Sequence, residues 1–251
     1  MIVIDDLHKS FNGQYVLRGV DLTIPAGKIT VIIGPSGCGK SVLLKHLICL
    51  LRPDRGRVLV DGRDVGQMGS RELAQFRRRF GMLFQGAALF DSMTVFDNVA
   101  FPLIEHGGMT AEQIRQRVRR VLALVGLPEI GHKMPGELSG GMRKRVGLAR
   151  AIALKPAIIL YDEPTTGLDP LMTDAIDKLI LAMQQELPIT SVVISHDIAS
   201  TFRIADQVAM LSGGRIVAAG TPEAVRQSTD LVVRRFLEGK SNPETDETIE
   251  V

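Results

Sequence analysis

The chain has 251 residues, of which 45% are hydrophobic, so it can bury the core of one large domain or of two lobes. Its 30 Lys and Arg against 28 Asp and Glu leave a net charge of only +2, which gives no general attraction to nucleic acid or to an anionic membrane. The two cysteines exclude a disulfide scaffold and fit a reducing, cytoplasmic setting. No apolar run approaches the ~20 residues that cross a bilayer, so we expect a folded chain that neither spans a membrane nor is exported.

The first predicted elements are short strands. Apolar and β-branched residues predict strands at 2–4, 15–17 and 20–24, and Asn12-Gly13 between them is typical of a turn. This pattern predicts an antiparallel edge. Phe11 lies beside the turn, where it is either a platform that stacks an adenine ring or a packed surface phenylalanine.

A glycine-rich loop follows, between a predicted strand at 29–33 and a predicted helix at 42–51. Its residues match the pattern G-x-x-x-x-G-K-[ST]: Gly34, Pro35, Ser36, Gly37, Cys38, Gly39, Lys40 and Ser41. The glycines can adopt positive φ and turn backbone N–H groups inward, which makes a concave anion site in front of a helix N-terminus. We therefore predict that the loop binds the phosphates of a nucleotide, with Lys40 reaching the β- and γ-phosphates and the Ser41 hydroxyl coordinating Mg²⁺. Cys38 is either a redox-sensitive thiol or, as we favour, the occupant of a slot for a small residue.

The next part of the chain changes character. A hairpin at 56–65, a helix at 70–79 and a strand at 81–84 that ends in Gln85 precede a mostly helical insert, with helices predicted at 95–103 and 111–125. Several arginines occur at 77–79 and within 115–120, and we interpret them as solvating the outer faces of helices rather than as a basic patch.

The strand and helix alternation then resumes, with strands at 157–161 and 191–194 on either side of a helix at 171–186. This order favours a parallel sheet with its site at the carboxyl ends of the strands, where Asp162, Glu163 and His196 lie. A carboxylate there can hold Mg²⁺ through water, and a neighbouring one can polarise an attacking water. We expect Asp162 and Glu163 to take these two roles and His196 to lie within reach of a γ-phosphate. A hairpin at 208–219 and short helices at 221–227 and 231–237 close the chain.

A second anion site is predicted where Ser139, Gly140 and Gly141 open a helix at 142–154. One chain cannot easily bring two helix N-termini onto one triphosphate, so this second site serves the nucleotide of a partner subunit. The hypothesis that follows is a head-to-tail dimer of two copies that encloses two ATP molecules.

The motifs GPSGCGKS, Gln85, LSGGM, IILYDEP, TTGLDP and SHD, in this order, resemble the nucleotide-binding subunit of ABC transporters over about residues 1–238. The resemblance implies an α/β fold, the P-loop NTPase fold of ABC ATPases, with a RecA-like parallel core, an antiparallel β edge and a helical subdomain. It divides the ABC ATPase domain at 1–238 into a core with a β subdomain, at 1–85 and 157–238, and a helical signature subdomain at about 86–156. Residues 239–251 are left as an acidic C-terminal tail, which is either a docking arm or disordered.

Roles for particular residues are implied by the same resemblance. Glu163 becomes the general base, His196 clamps the γ-phosphate, and Gln85 contacts Mg²⁺ and senses the membrane partner. Asp162 and Ser41 join Gln85 as metal-binding residues. The remaining nucleotide contacts come from the stacking ring of Phe11, the phosphate loop from Gly34 to Lys40 and Ser41, the segment Ser139 to Gly141 that closes on the opposite subunit's ATP, and Asp169, which bridges the two subunits.

Two positions depart from the common pattern: Met142 follows LSGG where Gln is usual, and Val42 follows GKS where Thr is usual. Together with the stretches 86–103 and 138–154 they resemble a narrower group, the MlaF-like ATPases of Mce-type lipid transporters. That group implies ATP-driven phospholipid transport between the inner and outer membranes, by a subunit peripheral on the cytoplasmic face of the inner membrane. The implied partners are an MlaE-like permease, a STAS-domain MlaB-like protein and a periplasmic MlaD-like lipid-binding protein, with no nucleic acid.

Three alternatives stay open at this point. The chain is otherwise a soluble ABC ATPase of an assembly scaffold, the ATPase of an ABC importer for another substrate, or a subunit that binds nucleotide without turnover. The absence of a heptad run and of a second phosphate loop argues against the types that act on nucleic acid or ribosomes, and Glu163 argues against a subunit without turnover.

Overall fold

The structure, a computed structural model, describes residues 1–240. Its strands are β1 (Ile2–Phe11), β2 (Gln14–Ile24), β3 (Ile29–Ile33), β4 (Arg55–Val60), β5 (Arg63–Asp64), β6 (Phe80–Leu83), β7 (Ile158–Asp162), β8 (Thr190–Ile194), β9 (Gln207–Ser212) and β10 (Arg215–Gly220). Its helices are α1 (Lys40–Leu47), α2 (Ser70–Arg77), α3 (Val95–His106), α4 (Ala111–Leu124), α5 (Gly140–Ile152), α6 (Pro170–Glu186), α7 (Ile198–Ile204), α8 (Pro222–Arg226) and α9 (Leu231–Leu237). The described residues form two compact units, one made of Met1–Met68 with residues 194–240, and the other of Gly69–Val193.

The first unit combines an antiparallel sheet, in the order β2-β1-β4-β5, with the strands β10, β9 and β3. Strand β9 pairs in parallel with β3, with Val31 opposite Val208, and in antiparallel with β10. All five residues of β3 are buried, as expected of a strand covered on both faces. The predicted antiparallel edge and the predicted hairpins at 56–65 and 208–219 are confirmed.

Strand β1 is longer than the sequence predicts, because its polar residues form ion pairs with the neighbouring strand β4. The register shifts after Ile4, and Asp6 adopts a φ of 45° within this irregular stretch. Arg57 pairs with Asp5 and Arg55 with Asp6, each at 2.8 Å. These cross-strand ion pairs lie on the exposed side of β4, where a polar strand is tolerated.

Helix α1 ends earlier than predicted, at Leu47. Cys49 takes a left-handed φ of 53°, its N–H donates to the His46 carbonyl, and the Leu50 N–H donates to the Lys45 carbonyl. This pair of bonds is the Schellman arrangement, which usually requires glycine. The cysteine at this position hides the helix end from a sequence-based prediction.

The second unit contains the parallel pair β6 and β7, with β8 beside β7, and a cluster in which α3, α4 and α5 pack on one another. Helix α5 also packs closely on β6, since a Cβ at Gly81 would lie 2.4 Å from the Ala151 carbonyl oxygen. Arg117 donates to the carbonyls of Ile152 and Ala153 at the end of α5, at 2.7 and 2.8 Å. The interpretation of this arginine as an outward solvating residue is therefore wrong.

The alternation of strands and helices confirms the predicted α/β class. The strands predicted at 15–17 and 20–24 form the single strand β2, and apart from β1, β2 and α1 the predicted helices and strands occur within a few residues of their expected bounds. Helix α7 was not predicted, although Asp197 before it is a typical N-cap and accepts from the Ser200 N–H. The division at residues 86 and 156 stays a prediction. The predicted acidic tail lies outside the described residues from 241 on. Within residues 1–240, no helix combines the length and apolar character that crossing a bilayer requires.

Candidate active site

The predicted phosphate loop lies in the first unit, between β3 and α1. Gly34, Gly37 and Gly39 have φ values of 150°, 77° and 105°, the conformations that the sequence pattern requires of them. Gly34 also meets a steric limit, since a Cβ there would lie 2.0 Å from the Leu211 carbonyl oxygen in β9. Gly39 is the N-cap of α1 and provides no side-chain cap, so the first N–H groups of this helix can face an anion.

Lys40 and Cys38 are both held inside this loop. The buried Lys40 ammonium donates to the carbonyls of Gly34 and Pro35, at 2.8 and 2.9 Å. Burial raises the pKa of the Cys38 thiol, and the nearby Lys40 charge opposes that rise only in part. A thiol with a raised pKa is a poor nucleophile, which supports the interpretation of Cys38 as a small packing residue.

His196 belongs to the first unit and is exposed. It lies two residues after the end of β8. The N–H of Ser195 donates to the carbonyl of Ile32 in β3 at 3.2 Å, and the Ser195 hydroxyl accepts from the Asp197 N–H at 3.0 Å. Since the phosphate loop begins directly after β3, this bond places His196 at the same end of the strand as the loop.

Phe11 lies at the end of β1, and 41% of its surface is exposed. The Lys9 ammonium lies 5.5 Å from the ring centroid, a cation–π contact that fixes one side of the ring. An exposed and oriented ring of this kind suits base stacking, and that role stays a prediction.

Glu163 is the centre of a hydrogen-bond cluster in the second unit. The parallel pairing of β6 with β7 sets Leu83 opposite Tyr161, so the residues that follow the two strands meet. The Gln85 side chain donates to Glu163 Oε2 at 3.0 Å. The structure therefore brings together two of the predicted catalytic residues, with Asp162 as the last residue of β7 beside them.

Two further residues of this cluster were not predicted. The Thr166 hydroxyl donates to the same Glu163 Oε2 at 3.0 Å, and the buried Lys144 ammonium donates to the Glu163 carbonyl at 3.1 Å. A sequence signal exists for Lys144, because it lies at helical spacing from the buried Gly141 and Leu148 on one face of α5. A lysine on a buried helix face needs a specific partner.

Two helix N-termini of the second unit lie side by side. The Ser139 hydroxyl caps α5 by accepting from the Met142 N–H at 3.3 Å, as predicted, and Asp169 caps α6 by accepting from the Met172 N–H at 2.9 Å. A Cβ at Gly141 would lie 3.0 Å from the Met172 sulfur, so the two N-termini are in close contact. Ser139 and Gly140 are exposed, which leaves their polar groups accessible to a ligand from outside the chain.

A glycine loop of this geometry in front of a helix N-terminus is typical of proteins that bind nucleotide phosphates. Residues 17–166 match the family model described as ABC transporter, and the chain belongs to this family as an ATP-hydrolysing subunit.

Several relatives are similar over nearly the whole chain. The "Probable ribonucleotide transport ATP-binding protein mkl" of Mycobacterium tuberculosis is 46% identical over 95% of this chain and 67% of its own length. The "Intermembrane phospholipid transport system ATP-binding protein MlaF" of Haemophilus influenzae is 43% identical over 96% of this chain and 92% of its own length. MlaF of Escherichia coli K12 is 42% identical over 95% and 89%.

Solved structures agree with the fold. An ATP-binding cassette described as a dimer in a post-hydrolysis state bound to ADP and Pi is 33% identical, with a TM-score of 0.81 over 88% of this chain and 99% of that one. The cbiO1 protein of Clostridium perfringens, described as part of an ABC transporter complex, is 29% identical, with a TM-score of 0.84 over 100% and 98%. The predicted P-loop ABC ATPase fold is confirmed.

Proposed function

We propose that this chain is the ATP-hydrolysing subunit of a transporter that moves phospholipid between the inner and outer membranes of a Gram-negative envelope. The observation that carries the substrate class is the similarity to MlaF of H. influenzae, which extends over 96% of this chain and 92% of the relative. The mkl proteins, whose name gives ribonucleotide as cargo, are matched over 67% of their length. Correspondence over nearly the full length favours the phospholipid assignment.

ATP is bound, in this proposal, by the backbone N–H groups of residues 34–41, with Lys40 on the β- and γ-phosphates and Phe11 on the adenine. The positive φ values of the loop glycines and the open N-terminus of α1 support this assignment. His196 contacts the γ-phosphate. The loop and His196 are positioned by β3 and its neighbours, and the Lys40 ammonium exchanges its bonds to the Gly34 and Pro35 carbonyls for bonds to the phosphates.

Mg²⁺ is the metal that fits the available donors. Among residues 1–240, no group of three or more His, Cys, Asp or Glu side chains is arranged to hold a metal ion. Magnesium keeps several waters and is bound by one or two protein oxygens together with phosphates, which suits the Ser41 hydroxyl, the Asp162 carboxylate and the Gln85 amide oxygen. When bound, the ion neutralises charge on the phosphates.

Hydrolysis is assigned to Glu163. Its carboxylate accepts two hydrogen bonds on Oε2, from Gln85 and Thr166, which restrict its rotation. A carboxylate fixed in this way can take the proton of a water that attacks the γ-phosphate. Gln85 lies in the segment that connects this carboxylate to the surface described next.

A groove in the second unit suits the permease. It has a volume of about 510 Å³ and contains the rings of Phe84, Phe90 and Phe101, with Arg77 and Arg78 also in its lining. The first two rings are 40% and 43% exposed. Exposed aromatic rings beside arginines are typical of a protein interface, and we propose that a cytoplasmic segment of an MlaE-like permease binds here.

The complex contains a second copy of the chain in a head-to-tail dimer, consistent with the dimeric cassette among the similar structures. Ser139, Gly140 and Gly141 of one copy then face the ATP of the other, and Asp169 bridges the two copies. The remaining proposed partners are a STAS-domain MlaB-like protein and a periplasmic MlaD-like protein. In this arrangement the chain lies on the cytoplasmic face of the inner membrane.

Affinity purification from detergent-solubilised membranes tests this function. We expect the wild-type chain to retain a permease and phospholipid, and the Phe90→Asp variant to lose both, because an aspartate in an apolar interface is not solvated. The control is Leu231→Asp, which places the same charge at an exposed position on α9.

Recovery of a dimer with no membrane protein would contradict the proposal and favour a soluble assembly ATPase. Recovery of a permease with a bound cargo other than phospholipid would favour an importer for another substrate.

A further inference from the structure

Glu163 has a backbone conformation that needs outside support. Its φ is 50°, in the left-handed region that residues with a side chain rarely adopt. Such a conformation persists only where the surrounding structure holds it, and it often occurs at sites that position a reacting group. The contacts around Glu163 therefore identify the side chains that hold it.

Lys144 holds the backbone of Glu163. It is 6% exposed, it lies one turn into α5, and its ammonium donates to the Glu163 carbonyl at 3.1 Å. Burial lowers the pKa of Lys144, and the Glu163 carboxylate opposes this effect. Burial of an ammonium group costs free energy unless the group is hydrogen-bonded, so this bond is needed in the folded chain. It connects α5 to the turn that follows β7.

Thr166 holds the carboxylate of Glu163. Its hydroxyl donates to Oε2 at 3.0 Å, and the Gln85 amide donates to the same oxygen at 3.0 Å. Two donors on one oxygen fix the rotation of the carboxylate about its last bond. Gln85 alone would leave that rotation less restricted.

We propose that Thr166 and Lys144 are positioning residues for Glu163, an assignment that rests on the general-base role proposed above. Lys144 fixes the position of the main chain, and Thr166 fixes the direction of the carboxylate. A catalytic group must be held within ~0.5 Å of its productive position, and a displacement of ~1 Å can reduce the rate ~100-fold. Neither residue contacts the substrate in this scheme.

The test is phosphate release by the full chain with Thr166→Val, which keeps the shape of the side chain and removes the hydroxyl. We expect kcat to fall about tenfold, as for loss of a hydrogen bond to a charged group. The KM for ATP should stay within about twofold, because ground-state binding does not use this bond. Thr166→Ser should restore most of the rate. Thr173→Val makes the same change on α6, away from Glu163, and serves as the matched control.

Lys144→Met provides the second arm, since methionine fills a similar volume without the ammonium. We expect a lower kcat at unchanged KM, with part of the rate restored by Lys144→Arg. Wild-type kcat in a folded Lys144→Met variant would overturn the role of Lys144. If Lys144→Met does not fold, as judged by its thermal unfolding, kcat of Lys144→Arg decides the role of Lys144 and the Thr166 series decides the role of Thr166.

Wild-type kcat in Thr166→Val, or equal loss in Thr166→Val and Thr166→Ser, would overturn the proposal. Failure of the underlying function is recognised separately by Glu163→Gln. If that variant keeps wild-type phosphate release, the general-base role is wrong. If it stops phosphate release while Thr166→Val does not change the rate, only the positioning role is wrong.

Discussion

His46 is an ionisable side chain that the first unit buries almost completely. It is 1% exposed in α1, and its Nδ1 is 2.7 Å from the Val42 carbonyl oxygen. Burial lowers its pKa below the ordinary 6.5; the Lys9 charge acts in the same direction and the Asp54 charge in the opposite one. The folded chain therefore holds His46 neutral.

Because the pKa of His46 is lower in the folded than in the unfolded chain, the unfolded chain binds the extra proton below pH 6.5. We expect the contribution of His46 to the free energy of unfolding to be constant above this pH. Below it, the free energy of unfolding should fall as the pH drops, by at most about 1.4 kcal/mol per pH unit. His46→Asn can keep the bond to Val42 and should remove this slope.

Urea unfolding at a series of pH values measures this effect. His106→Asn makes the same substitution at the exposed end of α3 and is the matched control. If His46→Asn shows the same slope as the wild type, the pH dependence of the free energy of unfolding comes from other groups. Asp54, whose pKa is lowered to about 2 mainly by its bond with Lys9, loses its contribution only in a more acidic range.

Single residues of the site differ in how far the sequence predicts them. The loop from Gly34 to Ser41 is predictable because backbone geometry and sequence spacing determine each other there. Thr166 and Lys144 are not, because their roles depend on which atoms the packing of α5 and the turn after β7 brings together. Spacing along the chain carries no information about such contacts.

The segment between β6 and α3 is an element without regular structure that side chains hold in place. Ala87 and Ala88 both have left-handed φ values, 61° and 47°. Arg150 donates to the carbonyls of both residues, at 2.7 and 2.8 Å. Asn98, fully buried, accepts from the Phe90 N–H at 2.8 Å and donates to three carbonyls of the same segment. This segment connects Gln85 to the aromatic groove.

Replacement of Asn98 by alanine should therefore destabilise the second unit strongly. It leaves the Phe90 N–H and the Met93 carbonyl without their partner, whereas the Phe90 and Thr94 carbonyls keep their bonds from the backbone N–H groups of Met93 and Asn98. We expect a loss of about 2 kcal/mol in the free energy of unfolding. Gln75→Ala, at an exposed position on α2, should change it by less than about 0.5 kcal/mol. Equal stability of the two variants would show that water replaces the Asn98 contacts.

Elements were predicted well wherever apolar periodicity and caps agree, as in α4, where Thr110 and Gln113 form a capping box. The prediction failed where one residue overrides the pattern. Cys49 ends α1 in a conformation that normally signals glycine, and Asp6 introduces an irregularity that lets β1 continue through polar residues. Backbone conformations of this kind depend on tertiary contacts, which composition does not encode.

The N-termini of α5 and α6 are exposed, and they are where this chain would meet the nucleotide of a second copy. Replacement of Ser139 by glutamate places a carboxylate among N–H groups that would face the partner's phosphates. We expect ATP turnover to fall at least about 100-fold while ATP binding by the single chain persists. Turnover and equilibrium binding of a fluorescent ATP analogue separate the two effects.

Ser139→Thr keeps the cap and should stay close to wild type. Loss of binding together with turnover in Ser139→Glu would argue against the shared site, since it would mean that Ser139 serves the nucleotide of its own chain.

The contact of Gly34 with the Leu211 carbonyl also affects how the protein is made. The backbone that limits the space at Gly34 belongs to β9, which pairs with β3. Because β9 lies near the C-terminal end of the described residues, it leaves the ribosome only after most of the chain has been synthesised. A nascent chain that ends before β9 contains the complete glycine motif but lacks the strand against which the phosphate loop packs. We therefore expect the chain to acquire nucleotide affinity late in translation, when β9 has paired with β3.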